Sequence, residues 1–454
     1  MNDKKPVSVF DPYAIKQVEF RNRVIRSSMG GRTSYYDGTV TPAWKNFEKL
    51  FAEHKVGGII SATIDVDDKR LSPLEYPKIS DDRFVKPLKQ GVDAVQAHCP
   101  YIIQLGDPGG HTQTSLLSEE ADAKSASAYF DVFYGYRNRT IAMTVAEIKE
   151  EVSKFRDGAR RVKETGAQGV EVTASKGYII HQFLNPATNR RKDAYGGSEW
   201  KRFQLLREIV EAVREEVGAD YLFGVRLSAK DYNYLPFWTF RMPPVLPLRH
   251  WYMGNEEDVT LEYGKELKKL GVDFLHIDLG FGFINPKGSP SCGYPIEGIR
   301  IFANATRHLG AKAWIRAAAV NVAPRWLLGI GWKYDEVPDA SFARRFRDTV
   351  KLPVIANGGF QRRSDIERAL QDDCDLVAIA RPLLANPNLM EQFEKGLDKP
   401  ENACTFCSQC CTRTAVLPLG CYDLTRFGWP HDPLEVAQAR MEQQILEFSA
   451  NHSD

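Results

Sequence analysis

The stretch YLFGVRLS (221–228) decides how the chain is read. It is an apolar run of strand length without regular polar alternation, the pattern of a strand buried on both faces of a parallel sheet. Working outward, seven more such runs appear: VIRSSM (24–29), GGIISATI (57–64), YIIQLG (101–106), GVEVTA (169–174), FLHIDLG (274–280), LPVIANGG (352–359) and DLVAIA (375–380). Helical stretches separate them, two with capping-box starts, Thr144 with Glu147 and Ser364 with Glu367. No GxGxxG loop follows the first run, as a doubly wound dinucleotide-binding sheet would show. Eight strand–helix units close into a barrel. The expected fold is therefore α/β, a (β/α)8 TIM barrel over residues 8–400 with a cysteine-rich C-terminal extension over 401–454.

A chain of 454 residues has room for several average domains, but a barrel of about 250 residues with insertions and a tail also fits. Two stretches exceed ordinary connections, 232–257 and 283–345. Both follow strands, which places them on the catalytic face, either as a substrate lid or as surface and oligomer contacts. Sixty basic and 59 acidic residues leave a net charge of +1. Such a balance gives no field for nucleic acid or anionic lipid, so a small-molecule substrate is expected. The start, MNDKKPVSVFDPYAIKQVEF, lacks the apolar core of a signal peptide, and no run of about 18 apolar residues occurs. The expectation is a soluble cytoplasmic protein without a membrane span.

The segment GYIIHQFLNPATNRRKDAYGG (177–197) resembles the signature of the old yellow enzyme / NADH:flavin oxidoreductase superfamily. NRVIRSSM (22–29), IIQLGDPGG (102–110), GVRLS (224–228), VIANGGF (354–360) and LVAIARPLLANP (376–387) follow that family's order. The resemblance covers residues 8–425 and is closest in character to the 2,4-dienoyl-CoA reductase and trimethylamine dehydrogenase branch. It implies an FMN at the C-terminal ends of the strands. Gln104 would meet the pyrimidine edge and Arg226 the N1 region. Asn357, Gly358, Gly359, Ala380 and Arg381 would surround the ribityl phosphate. Ser28, Met29, Gly30 and Ala62 would lie against the isoalloxazine, with Gly30 standing where many relatives carry a bulkier residue. The residue types suit these tasks: an amide at a strand end, a cation inside a buried strand, and glycines with an arginine at a phosphate nest. Plainer readings exist for Gln104, as a satisfied polar group, and for Arg226, in a buried ion pair.

By the same resemblance Tyr178 occupies the position of the proton donor, a phenol acting as general acid; its plain reading is a packed tyrosine with a bonded hydroxyl. Classical members place two imidazole or amide donors two and five residues before that tyrosine, where they grip the substrate carbonyl. Here those positions are Lys176 and Thr173. An ammonium favours a carboxylate, an enolate or a phenolic oxygen over a simple enone, unless Lys176 turns to solvent or pairs with an acid. The acidic or imidazole residue that the branch carries after strand six is not evident in LGFGFINPKG (279–288). The implied activity is NAD(P)H-driven reduction of an activated C=C bond, with hydride from flavin N5 and a proton from Tyr178. An FMN/iron-sulfur amine dehydrogenase or demethylase is the alternative, and a metal-dependent barrel lyase or electron carrier a further one.

Of eight cysteines, five crowd into CTFCSQCCTRTAVLPLGC (404–421). In a cytosolic chain that crowding suits a metal rather than disulfides, and thiolates at such spacing suit iron-sulfur or zinc. The resemblance implies a 4Fe-4S cluster on Cys404, Cys407, Cys410 and Cys421, with zinc as the alternative and Cys411 competing with Cys410. Cys99, Cys292 and Cys374 have no partner spacing and are expected to be packing residues. The sequence ends at Asp454, too soon after Cys421 for a second flavin and nucleotide domain. Electrons are then expected from NAD(P)H at the FMN face or from a separate electron-transfer protein; a homo-oligomer is a family-level expectation.

Overall fold

Eight parallel strands close into one barrel, each hydrogen-bonded to the next in chain order and the last to the first. They are β1 Val24–Arg26, β2 Gly58–Asp65, β3 Tyr101–Gly106, β4 Gly169–Ala174, β5 Leu222–Ser228, β6 Phe274–Asp278, β7 Val354–Asn357 and β8 Leu376–Ile379. In this computed structural model the described residues are 6–70, 76–112, 123–128, 140–232, 254–282, 296–305, 307–322, 340–414 and 417–449. All eight expected strands are present. The expected (β/α)8 barrel is the observed fold.

Side chains alternate between the barrel interior and the helical layer, as the strand period requires. Val170, Val172 and Ala174 of β4 belong to the large apolar cluster under the helices. Ile102, Leu222, Phe274, Ile355 and Leu376 form a separate inner cluster with Ile15, Val18 and Phe20. Those last three come from a hairpin, Tyr13–Ile15 with Val18–Phe20, so the hairpin seals the N-terminal end of the barrel. Gly224 of β5 pairs with Phe274 of β6. A Cβ there would sit 2.0 Å from the Phe274 ring, which fills the vacated space.

Helices cover the outside: α1 Pro42–Glu53, α2 Val85–Gln96, α3 Val145–Glu164, the short α4 Ile179–Leu184 followed by α5 Glu199–Val217, and α6 Glu257–Lys269. The excursion after β6 contains α7 Ile296–Ala305 and α8 Ala311–Val322 before α9 Ser341–Val350; α10 Arg363–Asp372 follows β7. The rest of that stretch, 283–295 and 323–339, lies outside the described residues, as do 233–253 of the other long connection and Cys292. The two ends of the latter are joined, since Asn255 N donates to Asp231 Oδ2 at 2.9 Å. The box at Thr144 forms, with Glu147 N donating to Thr144 Oγ1 at 3.2 Å and Thr144 N to Glu147 Oε2 at 2.7 Å. The box expected at Ser364 does not. Arg362 is the N-cap of α10, and Ser364 N donates instead to Asp398 Oδ1 at 2.8 Å. A carboxylate from a distant segment supplies the acceptor that the local side chain was expected to supply.

After β8 come α11 Arg381–Ala385 and α12 Leu389–Glu394, then the cysteine segment with α13 Gln409–Arg413, and finally α14 Leu434–Ser449. α13 packs on α7. α14 returns to α1, where the Phe448 ring lies 5.6 Å from Phe47 and stacks 6.3 Å from Phe51. Cys99 and Cys374 are buried. Among the described residues no helix is long and apolar enough to cross a membrane.

Candidate active site

The inward face of the strands turns polar toward their C-terminal ends. Gln104 of β3 donates from Nε2 to Glu171 Oε1 of β4 at 2.6 Å, and Glu171 Oε2 lies 3.0 Å from His276 Nδ1 of β6. Gln104 Oε1 accepts from Thr63 Oγ1 at 2.5 Å and from Ser28 Oγ at 3.0 Å. Gln104 is 1% exposed, Glu171 and His276 fully buried.

Arg226 does have an anionic partner, and it belongs to the protein: Asp278 Oδ2, at 2.9 Å from Nε and 2.8 Å from Nη2. Lys176 Nζ lies 3.3 Å from the same oxygen and donates to Leu279 O at 3.1 Å. No acid is evident in 279–288; the carboxylate that the structure places here is Asp278, the last residue of β6 itself. Burial pushes the Asp278 carboxyl up, but Lys176 and Arg226 outweigh that and hold it below its ordinary range. Burial lowers the Lys176 ammonium, with Asp278 opposing. The other oxygen, Asp278 Oδ1, is buried without a hydrogen-bond partner.

Lys176 has φ +56° and Gly177 φ +81°, a left-handed pair that turns the chain sharply off β4 and delivers Tyr178 to the N-cap of α4. Two side chains of α4 brace that turn. Gly177 N donates to His181 Nδ1 at 3.1 Å, and Gln182 Nε2 donates to Gly177 O at 2.6 Å. With Nδ1 accepting, the imidazole proton sits on Nε2 and points at Asp231 Oδ1, 2.7 Å away. The Tyr178 hydroxyl bonds with Tyr76 and Thr63, and burial pushes its pKa well above the ordinary phenol value. Sequence reasoning missed Tyr76. The signal was Gly30: a Cβ there would lie 2.3 Å from the Tyr76 ring, so this glycine makes room for the tyrosine that touches Tyr178. Thr173, on β4 opposite Arg226 of β5, is buried.

Around the mouth, Ser28, Met29 and Gly30 continue beyond β1, and Ala62 lies in β2. Asn357 ends β7; Gly358 (φ +150°) and Gly359 (φ +71°) follow it, with open space on the Cβ side of Gly358. Ala380 caps α11, and Arg381 Nη1 donates to Ser408 Oγ at 2.9 Å, its guanidinium 5.1 Å from the Phe406 ring. Glycine amides beside a space no side chain fills, with a guanidinium on the next strand end, fit an FMN phosphate. The cysteine segment lies against this mouth, since Thr414 and Leu419 contact Gly31. Cys410 Sγ and Cys411 Sγ are 3.9 Å apart, and buried Cys421 Sγ accepts from Arg426 Nη1 at 2.9 Å. Burial pushes the Cys404 and Cys407 thiols up to about 12 and about 11, so a metal would displace their protons on binding.

A second buried cluster links the loops after β2 and β3 to α3. Arg70 Nη2 lies 3.1 Å from Asp67, 2.7 Å from Asp107 and 2.6 Å from Glu151, and Lys154 Nζ 2.6 Å from Asp67. The three carboxylates are close enough to hold a metal, but the Arg70 guanidinium already occupies their centre.

Comparison with known proteins follows the same lines. Residues 8–235 and 324–400 match the NADH:flavin oxidoreductase / NADH oxidase family. A metal reductase of Desulforamulus reducens is 28% identical over 89% of this chain and 51% of its own. An NADPH dehydrogenase of Geobacillus thermodenitrificans is 32% identical over 72% of this chain and 86% of its own. A 2-naphthoyl-CoA reductase in complex with 2-naphthoyl-CoA superposes with a TM-score of 0.70 at 20% identity, over 98% of this chain and 58% of that one. The chain thus spans little more than half the length of two of these three proteins.

Proposed function

Because the chain belongs to the NADH:flavin oxidoreductase / NADH oxidase family, we propose that it is an FMN-dependent, NAD(P)H-driven reductase of activated C=C bonds in acids, thioesters or carbonyl compounds. The observation that carries this reading is the buried Tyr178 phenol beside the Lys176–Asp278–Arg226 cluster, at the C-terminal ends of the strands. When bound, FMN supplies hydride acceptance and donation at N5. Gln104, Arg226, Asn357, Gly358, Gly359, Ala380 and Arg381 would hold it, with Ser28, Met29, Gly30 and Ala62 along the ring.

Lys176 and Thr173 orient a substrate oxygen. The ammonium already shares Asp278, so it neutralises charge building on that oxygen while remaining tied to Leu279 O. Tyr178 carries its proton throughout the neutral range, because burial disfavours the phenolate, and delivers it from Oη to the α-carbon. Cys404, Cys407, Cys410 and Cys421 fit a 4Fe-4S cluster by chemistry, with the Arg426 guanidinium donating to Cys421 Sγ. Such a cluster would connect this centre to a separate electron-transfer protein.

The test is anaerobic. NADH or NADPH should bleach the flavin of the purified protein, and an enoyl-CoA or α,β-unsaturated acid should restore its colour. Colour restored by oxygen but by no unsaturated compound overturns the substrate class.

A further inference from the structure

We propose that Glu171 and His276 are positioning residues for the flavin, fixing Gln104 so that it offers an N–H and never its carbonyl oxygen, above a buried negative charge. The inference rests on the FMN reading given under Proposed function.

The argument is one of hydrogen-bond capacity. A glutamine amide has two N–H donors and two acceptor sites on oxygen. Both acceptor sites of Gln104 are taken, by the hydroxyls of Thr63 at 2.5 Å and Ser28 at 3.0 Å. One N–H goes to Glu171 Oε1 at 2.6 Å. What remains for a ligand is a single N–H. The orientation depends on Glu171 accepting from Gln104, as an ionised carboxylate does. His276 supports that state from the other side, its Nδ1 lying 3.0 Å from Glu171 Oε2. The Nε2 of His276 is buried and has no partner, so Nδ1 is the ring nitrogen that engages the carboxylate. The opposite arrangement, a turned amide, would set the Gln104 carbonyl against the Glu171 carboxylate and leave its second lone pair facing the ligand.

Strand geometry makes the chain of contacts possible. Glu171 pairs in register with Gln104 on one side and with Gly224 on the other. Glu171 on β4 reaches His276 on β6 across β5. All three polar groups are buried, so neither water nor salt screens the carboxylate. A fixed negative charge close to the pyrimidine end opposes the charge a flavin gains there on reduction.

The experiment reads the midpoint potential of bound FMN by dye equilibration, and the dissociation constant of oxidised FMN, for the wild type and E171Q. E171Q is expected to tighten reduced over oxidised FMN by tenfold or more, an upward shift of about 30 mV for a two-electron couple, with little change in oxidised FMN affinity. An unchanged potential in FMN-loaded E171Q overturns the inference and leaves the FMN reading intact. A wild-type protein that takes up no FMN overturns both. Should E171Q not fold, nitrogen-15 NMR of histidine-labelled wild-type protein decides: a His276 tautomer protonated on Nδ1 supports the assignment, and one protonated on Nε2 overturns it.

Discussion

Lys176 Nζ and Arg226 Nη2 converge on a single oxygen of Asp278, at 3.3 Å and 2.8 Å. Two cations share one anion in a buried setting, so the cluster carries a net positive charge that an acidic or enolising substrate can complete. Removing the Lys176 ammonium as Lys176→Met should weaken binding of an unsaturated acid by about 2 kcal/mol, the range for a hydrogen bond to a charged group. Equilibrium titration against the acid and its amide checks this, the acid losing more.

Removing the anion has the opposite character. Asp278→Asn leaves two buried cations facing each other and should lower stability by about 3 kcal/mol. The double variant Lys176→Met/Asp278→Asn should recover part of that loss. Denaturant melts of the three proteins measure the coupling; additive losses would show that the charges do not interact.

Tyr178→Phe keeps the ring and deletes the proton. Flavin reduction by NAD(P)H should proceed at the wild-type rate, while reoxidation by an unsaturated substrate slows by about 10²–10⁴-fold, the usual worth of a positioned general acid. Stopped-flow traces of the two half-reactions separate these effects.

The Arg70 cluster sets a pH dependence of folding. Three carboxylates face two cations, and burial, followed by the nearby Asp107, pushes Glu151 up to about 8. An unfolded glutamate titrates near ~4.3. Between those values the folded state keeps a proton that the unfolded state releases, so stability is full below the lower value and falls as pH rises toward 8, by at most ~1.4 kcal/mol per pH unit. Glu151→Gln should flatten that slope in urea melts at pH 5 to 8.

Anaerobically purified protein should show flavin bands together with about four irons per chain. Cys407→Ser should lose the iron and keep the flavin. Loss of both in that variant would mean that the cysteine segment holds the mouth together rather than a metal.

The barrel was legible because each strand is buried on both sides and so is written as an unbroken apolar run. The site was legible only where a residue lies in a motif, as Tyr178 and Lys176 do. Asp278 escaped because it ends β6 itself rather than standing in the loop after it, although His276 and Asp278 alternate with apolar neighbours in FLHID and therefore face the interior with Phe274. Polar residues two apart inside a strand run are the general signal, and Glu171 and Thr173 in GVEVT show it too. Tyr76 carries no local pattern, since its place is set by the missing side chain of Gly30. The cap at Ser364 failed because Asp398, far away in sequence, competes for the same amide.

The hairpin that seals the lower end of the barrel has a kinetic consequence. With Ile15, Val18 and Phe20 stoppering that end, the described residues leave the opposite rim as the way in. In the proposed reaction, the nicotinamide that charges the flavin and the molecule that discharges it would then share that rim, the first leaving before the second arrives. Each should therefore inhibit the other at high concentration, and initial-rate plots should run as parallel lines.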